Sequence, residues 1–311
     1  MYLIFDTETT GLPKRYNAPI TDTENWPRCI QIAWQLHDRW GKLIERADYL
    51  VKPDGFDIPY DSERIHGIST ELAEAEGVPL EVVAKEFAAV LERSTFVVGQ
   101  NVDFDINIMG CEFYRLGMDT LLTKLPVLDT CTETTAELCK IPGGRGGKFK
   151  LPTLTELHQF LFGQAFEEAH NATADVEATT RCFLELLRKS VFTAAELKES
   201  PDYLVQFREA NPEAFELVGI EHQNLKEASA RLREAAMEQA EKDSTMEVSS
   251  DEREALVQAP FVHLHNHSQF SILQSTASTA DLVTAASADG MPAVALTDSG
   301  NMMGAFHFVQ A

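Results

Sequence analysis

Residues 1 to about 190 alternate between short apolar runs suited to strands and longer stretches with helical spacing, and this interleaving most restricts the fold. Tyr2–Phe5 is an apolar run that ends at Asp6. Ile30–Leu36 and Leu43–Val51 read as strands, with Ile32, Trp34 and Leu36 on alternate positions. Pro79–Arg93 places Leu80, Val83, Phe87, Val90 and Leu91 at helical spacing. Thr95–Val98 is a brief strand that stops at Gly99, and Asp103–Leu116, Leu154–Phe162 and Thr173–Leu187 read as helices. Strands and helices in alternation imply an α/β fold around a mixed sheet.

Beyond residue 190 the pattern changes. Residues 191–258 hold 16 acidic and 7 basic side chains, with Pro201 and Pro212 in the first half and an Ala/Glu/Arg-rich stretch at Leu225–Glu241. So few large apolar residues predict a solvated helical linker rather than a core. From Pro260 the pattern turns globular again, with strands expected at Phe261–His267 and Ala293–Thr297 and helices at Ala280–Ala288 and from Gly304 onward. Two strands and one or two helices are too few to close a core, so this end reads as truncated. The expected organisation is therefore 1–190, an α/β domain; 191–258, an acidic linker; and 259–311, an incomplete βα fragment.

Charge bears on function at this point. The 311 residues carry 49 acidic and 26 basic side chains, a formal net charge of −23. Such a chain does not cling to nucleic acid by bulk electrostatics, though a metal-assisted grip on chain ends stays open to it. No apolar run approaches the ~20 residues that a membrane span requires. The five cysteines show no CxxC pairing and the N-terminus lacks a basic flank, so a cytoplasmic protein with reduced thiols and no membrane partner is expected.

The chemistry-bearing residues stand at element ends. In Asp6-Thr7-Glu8-Thr9-Thr10-Gly11-Leu12, residues i and i+2 of an extended chain share a face, so Asp6 and Glu8 point together. Adjacent carboxylates repel unless a cation lies between them, and hard oxygen ligands suit Mg²⁺ or Mn²⁺. Thr9, Thr10 and Gly11 form a small-residue turn that a substrate can approach. Gly99-Gln-Asn101-Val-Asp103-Phe104-Asp105 offers a second acid near a helix start, and spacing alone leaves Asp103 and Asp105 as alternatives. His170-Asn-Ala-Thr-Ala-Asp175 brings a histidine and a third acid to the first turn of another helix.

Taken in order, FDTETTGL, NVDFD and HNATAD resemble the three motifs of the DEDDh exonuclease family, which includes proofreading subunits of bacterial DNA polymerase III. The resemblance covers residues 1 to about 190. It implies a ribonuclease H-like fold, a five-stranded mixed sheet flanked by helices. It implies two divalent metal ions, Mg²⁺ or Mn²⁺, held by Asp6, Glu8, Asp105 and Asp175, with His170 as general base. The family's aspartate directly follows a phenylalanine, which selects Asp105. Ile65-His66-Gly67-Ile68 resembles a family segment beside the terminal nucleotide, and the motifs as a whole imply substrate contacts from Thr7, Thr9, Gly11, Leu12, His66, Asn101 and Phe104.

The function so implied is metal-dependent 3′→5′ hydrolysis of DNA from single-stranded or frayed 3′ ends, with a polymerase III alpha portion or other replisome subunits as partners. The alternatives are trimming of RNA or short oligonucleotides, and a non-catalytic polymerase-associated module. Lys140, Arg145, Lys148 and Lys150 flank a glycine patch and read either as a solvated loop or as a basic flap on a nucleic-acid backbone.

Residues 260–311 carry a second resemblance. His263, His265 and His267 alternate along one strand in FVHLHNHSQFS, a spacing that suits Zn²⁺ or a similar ion. With Ala293-Val-Ala-Leu-Thr-Asp298-Ser, this is similar to the opening of the PHP domain of bacterial DNA polymerase III alpha subunits. Gln274 and Ser299 depart from the pattern of metal-binding members, so an occupied site is not expected there, and neither is polymerase activity.

Overall fold

A computed structural model of the chain describes residues 1–166, 171–219, 224–244, 262–271, 275–300 and 302–311. It divides into two compact units, Met1–Gln239 and Ala240–Ala311.

The first unit is built on a five-stranded sheet of β1 (Tyr2–Thr9), β2 (Cys29–His37), β3 (Leu43–Leu50), β4 (Phe96–Gly99) and β5 (Val127–Asp129), in the order β3-β2-β1-β4-β5. β1–β2 and β2–β3 pair antiparallel, whereas β1–β4 and β4–β5 pair parallel. This is the mixed, ribonuclease H-like sheet that the motifs imply. Its helices are α1 (Tyr60–His66), α2 (Thr70–Glu76), α3 (Leu80–Arg93), α4 (Asp103–Arg115), α5 (Glu133–Cys139), α6 (Leu154–Phe162), α7 (Ala172–Arg188), α8 (Tyr203–Ala210) and, up to Gln239, α9 (Leu225–Ser244).

Alternation along β1 divides the core. Leu3 and Phe5 pack with Val83, Phe87, Val90 and Leu91 of α3 on one face. Tyr2 and Ile4 pack with Val176, Phe183, Leu186 and Leu187 of α7 on the other. Asp6 and Glu8 therefore continue the α7 face of the strand, where the apolar run gives way to acids. β1 and β2 lose register between Glu8 and Thr9, since Glu8 pairs with Gln31 and Thr9 with Cys29. A bulge of this kind bends a strand end and re-aims its side chains. At the end of β4, a Cβ on Gly99 would lie 2.6 Å from Val102 Cβ, so only glycine permits the tight turn into α4.

The expected linker is not solvated along its first half. Tyr203 and Phe207 of α8 are fully buried in the α7-side core, and Leu225 and Ala228 of α9 are buried beside Ile58, Ile68 and Leu72. Arg181 of α7 donates to the Phe215 carbonyl at 2.6 Å and stacks over Phe162. Two aromatic residues at i and i+4 suffice to dock a two-turn helix, and hydrogen bonds hold the chain that follows it. Phe207→Ala is expected to cost about 3–5 kcal/mol by emptying this pocket. Urea unfolding would measure it, whereas a solvated segment would lose almost nothing.

In the second unit, helices form at Thr279–Ala288 and Met303–Gln310. The two expected strands do not. Among the described residues they reduce to a single parallel bridge between His263 and Val294, and Ala293–Thr297 is half-buried or exposed. One bridge cannot sustain a ladder, so the backbone bonds instead through local contacts such as Thr297 N–H to the Asn266 carbonyl, 2.8 Å.

Candidate active site

β1 and α7 bring three of the motif acids together. One carboxylate oxygen each from Asp6, Glu8 and Asp175 lies within 4.8 Å of the others, and all three side chains are half-buried. The helix start that carries Asp175 is fixed from three directions. Asn171 caps α7 by accepting from Thr173 N–H at 3.0 Å, and Gln31 of β2 accepts from Ala172 N–H at 3.2 Å. Thr173 donates its hydroxyl to Asp48 of β3 at 2.8 Å. Gln31, Asp48 and Asn171 thus set the position of Asp175, and none of them stands out in the sequence.

Asp105 approaches from the opposite face of β1. Its Oδ1 accepts from Thr7 N–H at 3.0 Å and from the Thr7 hydroxyl at 2.6 Å, and its side chain is buried, while Asp103 is exposed. Of the two alternatives, Asp105 is the one directed at the strand that carries the acids. It lies outside the tight group of three, close enough to act on Asp6 and Glu8 electrostatically. Asp129, at the end of β5, accepts from Asn101 N–H, Val102 N–H and Cys131 N–H, and so anchors the Gly99–Val102 turn from below. Sequence reading missed it because β5 is three residues long.

The electrostatics follow from this crowding. Burial pushes the Asp6 carboxyl well above the usual range, and Asp105, Asp175 and Glu8 add to the effect. Glu8 is pushed up to about 8 by burial, then by Asp175 and Asp105. Burial raises Asp105 to about 7, partly offset by the two Thr7 hydrogen bonds. Acids this reluctant to ionise together are matched to a divalent cation, whose charge removes the repulsion and whose preferred ligands are carboxylate oxygens. The donor set therefore fits a divalent cation that prefers oxygen ligands.

The remaining motif residues fall into distinct roles. Thr7 is buried and its hydroxyl is committed to Asp105. Thr9 is buried and donates to the Gly11 carbonyl at 2.7 Å, while Leu12 stands 74% exposed beside it. Gly11 faces Ser62 of α1 at 3.8 Å from its ideal Cβ position. Asn101 is exposed with a positive φ of 59°, and Phe104 is half-buried against the α3-side core. His66 is buried, and its Nδ1 accepts from Ile68 N–H at 3.1 Å, so the neutral ring carries its proton on Nε2. His170 lies outside the described residues.

The loop from Gly11 to Arg28 is closed by its own ends. Thr10 N–H donates to the Arg28 carbonyl, and Arg28 N–H donates to the Thr10 hydroxyl. The fully buried Glu112 accepts from Arg28 Nε and Cys29 N–H, each at 2.9 Å, and pairs with Arg115 at 3.1 Å. In the glycine-rich loop, Lys148 pairs with Glu133 and Lys150 with Glu156. These pairings favour the solvated-loop reading over a free basic flap.

Comparison with known proteins identifies the family. Residues 3–183 match the family described as Exonuclease, more than half of the chain. The chain belongs to the exonuclease family. Residues 263–311 match the PHP domain. The PolC-type DNA polymerase III of Pediococcus pentosaceus is 30% identical over 186 residues, 60% of this chain and 11% of that protein. The corresponding Lactococcus lactis protein is 29% identical over 232 residues, 72% of this chain and 13% of that one. The DNA polymerase III subunit alpha of Treponema pallidum is 54% identical over 48 residues, 15% of this chain and 4% of its own length. The matched segments span 11% and 13% of the lengths of these two PolC-type polymerases. Among solved structures, the zinc-bound E. coli ExoI–ssDNA complex is similar at 25% identity and a TM-score of 0.48, covering 61% of this chain and 40% of that one.

In the second unit, two of the histidines lie side by side. His265 Nε2 and His267 Nε2 lie 3.1 Å apart, His267 Nδ1 contacts Ser271 Oγ, and His265 Nδ1 contacts Thr297 Oγ1. Asp298 accepts from Ser268 and Ser271 and is thereby tied into the same loop. Ser299 donates its N–H to Ser271 Oγ, and Gln274 lies outside the described residues. Among the described residues, no helix is long and apolar enough to cross a membrane.

Proposed function

We propose that this chain is the proofreading exonuclease portion of a bacterial DNA polymerase III, removing nucleotides one at a time from the 3′ end of DNA. The observation that carries the proposal is the convergence of Asp6, Glu8 and Asp175 on one point, with Asp105 beside them, in a chain of the exonuclease family. A non-catalytic module has no reason to retain four mutually repelling acids in one place, since their repulsion only costs stability.

Asp6, Glu8, Asp105 and Asp175 would hold two ions, Mg²⁺ or Mn²⁺. Such ions supply positive charge to the phosphoryl transition state and make an attacking water more acidic. The protein's own groups do the rest. Thr7 holds Asp105 in place through two hydrogen bonds, and Gln31, Asp48 and Asn171 hold the start of α7. His170, one residue before the α7 cap, would take the proton from the attacking water. Thr9, Gly11, Leu12, His66, Asn101 and Phe104 would face the terminal nucleotide, with Leu12 offering an exposed apolar surface to a base. Polymerase III relatives support DNA as substrate, a polymerase as partner and a cytoplasmic setting. The domain reading that goes with the proposal is an exonuclease unit, a connecting segment and the start of a PHP domain.

Side-by-side digestion of single-stranded DNA, a mismatched primer-template and RNA of the same sequence tests the substrate. Release of nucleotides is expected from both DNA substrates, at a higher rate than from RNA. Faster digestion of RNA would favour the trimming alternative.

A further inference from the structure

The turn between α1 and α2 is His66-Gly67-Ile68-Ser69, and all four residues are buried. Ser62 and His66 lie one helical turn apart on the buried side of α1, and Ser62 is the residue that faces Gly11. The turn therefore stands on the side of α1 that meets the Thr9–Leu12 segment of the active site.

The backbone donors of this turn have specific partners. Gly67, in the left-handed region at φ 81°, donates to the Glu63 carbonyl at 2.7 Å and closes α1. Ile68 N–H donates to His66 Nδ1. Ser69 N–H donates to Ser229 Oγ at 3.1 Å, and the Ser229 hydroxyl in turn donates to the Gly67 carbonyl at 2.7 Å. One hydroxyl thus bridges both sides of Ile68, accepting from the residue after it and donating to the residue before it. Ser229 is 3% exposed, so water cannot substitute freely.

Ser229 belongs to α9, more than 150 residues along the chain from the turn it holds. α9 sits hard against the turn: a Cβ on Gly67 would lie 2.6 Å from Lys226 Cγ and 3.0 Å from Lys226 N. Leu225 and Ala228 pack with Ile68 and Leu72, and Arg233 pairs with Glu63 at 2.6 Å. The contact face thus combines Leu225, Ala228 and the Lys226 stem with one hydroxyl and one guanidinium.

We infer that Ser229 of α9 is a positioning residue for the 3′-terminal nucleotide, acting through the His66–Ser69 turn; this rests on the reading of that turn as part of the nucleotide site. Without the hydroxyl, the Gly67 carbonyl and Ser69 N–H lose their shared partner, and the turn relaxes at the residue that carries the His66 ring. Asp6, Glu8 and Asp175 are held by other elements and stay in place. The defect is then one of terminal-nucleotide binding, with the metal site intact.

The test uses the full chain with Ser229→Ala, Ser229→Thr and Arg233→Ala. It measures steady-state hydrolysis of a 3′-labelled oligothymidylate, calorimetric binding of dTMP in the presence of Mn²⁺, and Mn²⁺ binding alone by electron paramagnetic resonance. Ser229→Ala should raise KM and the dTMP Kd about five- to tenfold, as expected for one lost hydrogen bond and the groups it leaves unpaired. kcat should stay within about twofold and Mn²⁺ binding should not change, whereas a loss of folded fraction lowers apparent kcat and leaves KM alone. Ser229→Thr should restore both constants. Arg233→Ala should shift them in the same direction by about two- to threefold, and it decides the matter should Ser229→Ala fail to fold. Unchanged KM and dTMP Kd in the folded variants would overturn the inference, as would a wild-type chain that does not bind dTMP. If the wild type binds dTMP and hydrolyses nothing, the exonuclease reading fails while the positioning role is still read from dTMP affinity.

Discussion

Without metal, the protein should lose stability as the pH rises from about 5 to about 8, and added Mg²⁺ or Mn²⁺ should restore it. The sign follows from the raised carboxylates. Glu8 is pushed up to about 8 and Asp105 to about 7 in the folded chain, against ordinary values of 4.5 and 3.8. Below the ordinary values both states hold these protons and the groups contribute nothing to the pH dependence. Between the ordinary and the raised values the folded state retains protons that the unfolded chain has released, so the free energy of unfolding falls with pH. Each carboxylate contributes a slope of up to about 1.4 kcal/mol per pH unit, which ends above its folded value. A divalent cation bound only by the folded state adds about 2.7 kcal/mol at one hundred times its Kd. Because the cation must displace protons, its stabilising effect grows across the same window. Thermal unfolding in EDTA and in Mg²⁺, at pH 6 and pH 8, for the wild type and for Glu8→Gln, isolates the contribution from that of the overall negative charge. The metal-induced rise in Tm should be larger at pH 8 than at pH 6 in the wild type. An equal rise at both pH values would contradict the proposed arrangement of acids.

Asp6→Asn separates the role of the site from the stability of the fold. The side chain keeps its size and hydrogen-bonding capacity and loses its charge. Hydrolysis is expected to fall by at least about 10³-fold, because a group that Asp105, Asp175 and Glu8 all act on no longer contributes to holding the ions. In EDTA at pH 8 the same variant should unfold at a higher temperature than the wild type, since a mutual repulsion has been removed. Activity and stability then move in opposite directions. A variant that was merely misfolded would lose both.

The principal elements of the first unit were legible because their patterns are long. β1 and β2 are buried on both faces and carry runs of apolar residues, and α3 buries one side, which its helical spacing marks. β5 was not legible, since three residues between loops show no periodicity, and with it went Asp129. The seven-residue helices α1 and α2 are likewise too short to display an apolar stripe. The acids themselves were visible as a strand-end pair and two helix-start residues. The choice between Asp103 and Asp105 depended on helical phase, which places the first in solvent and the second on Thr7.

Residues 191–258 show the limit of counting large apolar side chains. α8 docks with two aromatic residues, and α9 docks through Leu225, Ala228, Ser229 and an ion pair, a sparse set that in sequence resembles a solvated helix. What distinguishes such a surface is the partner it fits. In the second unit the opposite error occurred, because alternating residues at 261–267 and 293–297 look like strands but find a single bridge among the described residues.

The central claim is a metal-dependent exonuclease that works from the 3′ end, and the two labelled ends of one oligonucleotide test it. A single-stranded DNA carrying a fluorophore at its 5′ end is incubated with the wild type and with Asp6→Asn, with Mg²⁺ and with EDTA. A ladder that shortens one nucleotide at a time, seen only for the wild type with Mg²⁺, is the predicted result, with the first product from a 3′-labelled strand a single nucleotide. Immediate release of the 5′ label as a mononucleotide, a ladder that persists in EDTA, or undiminished cleavage by Asp6→Asn would contradict it.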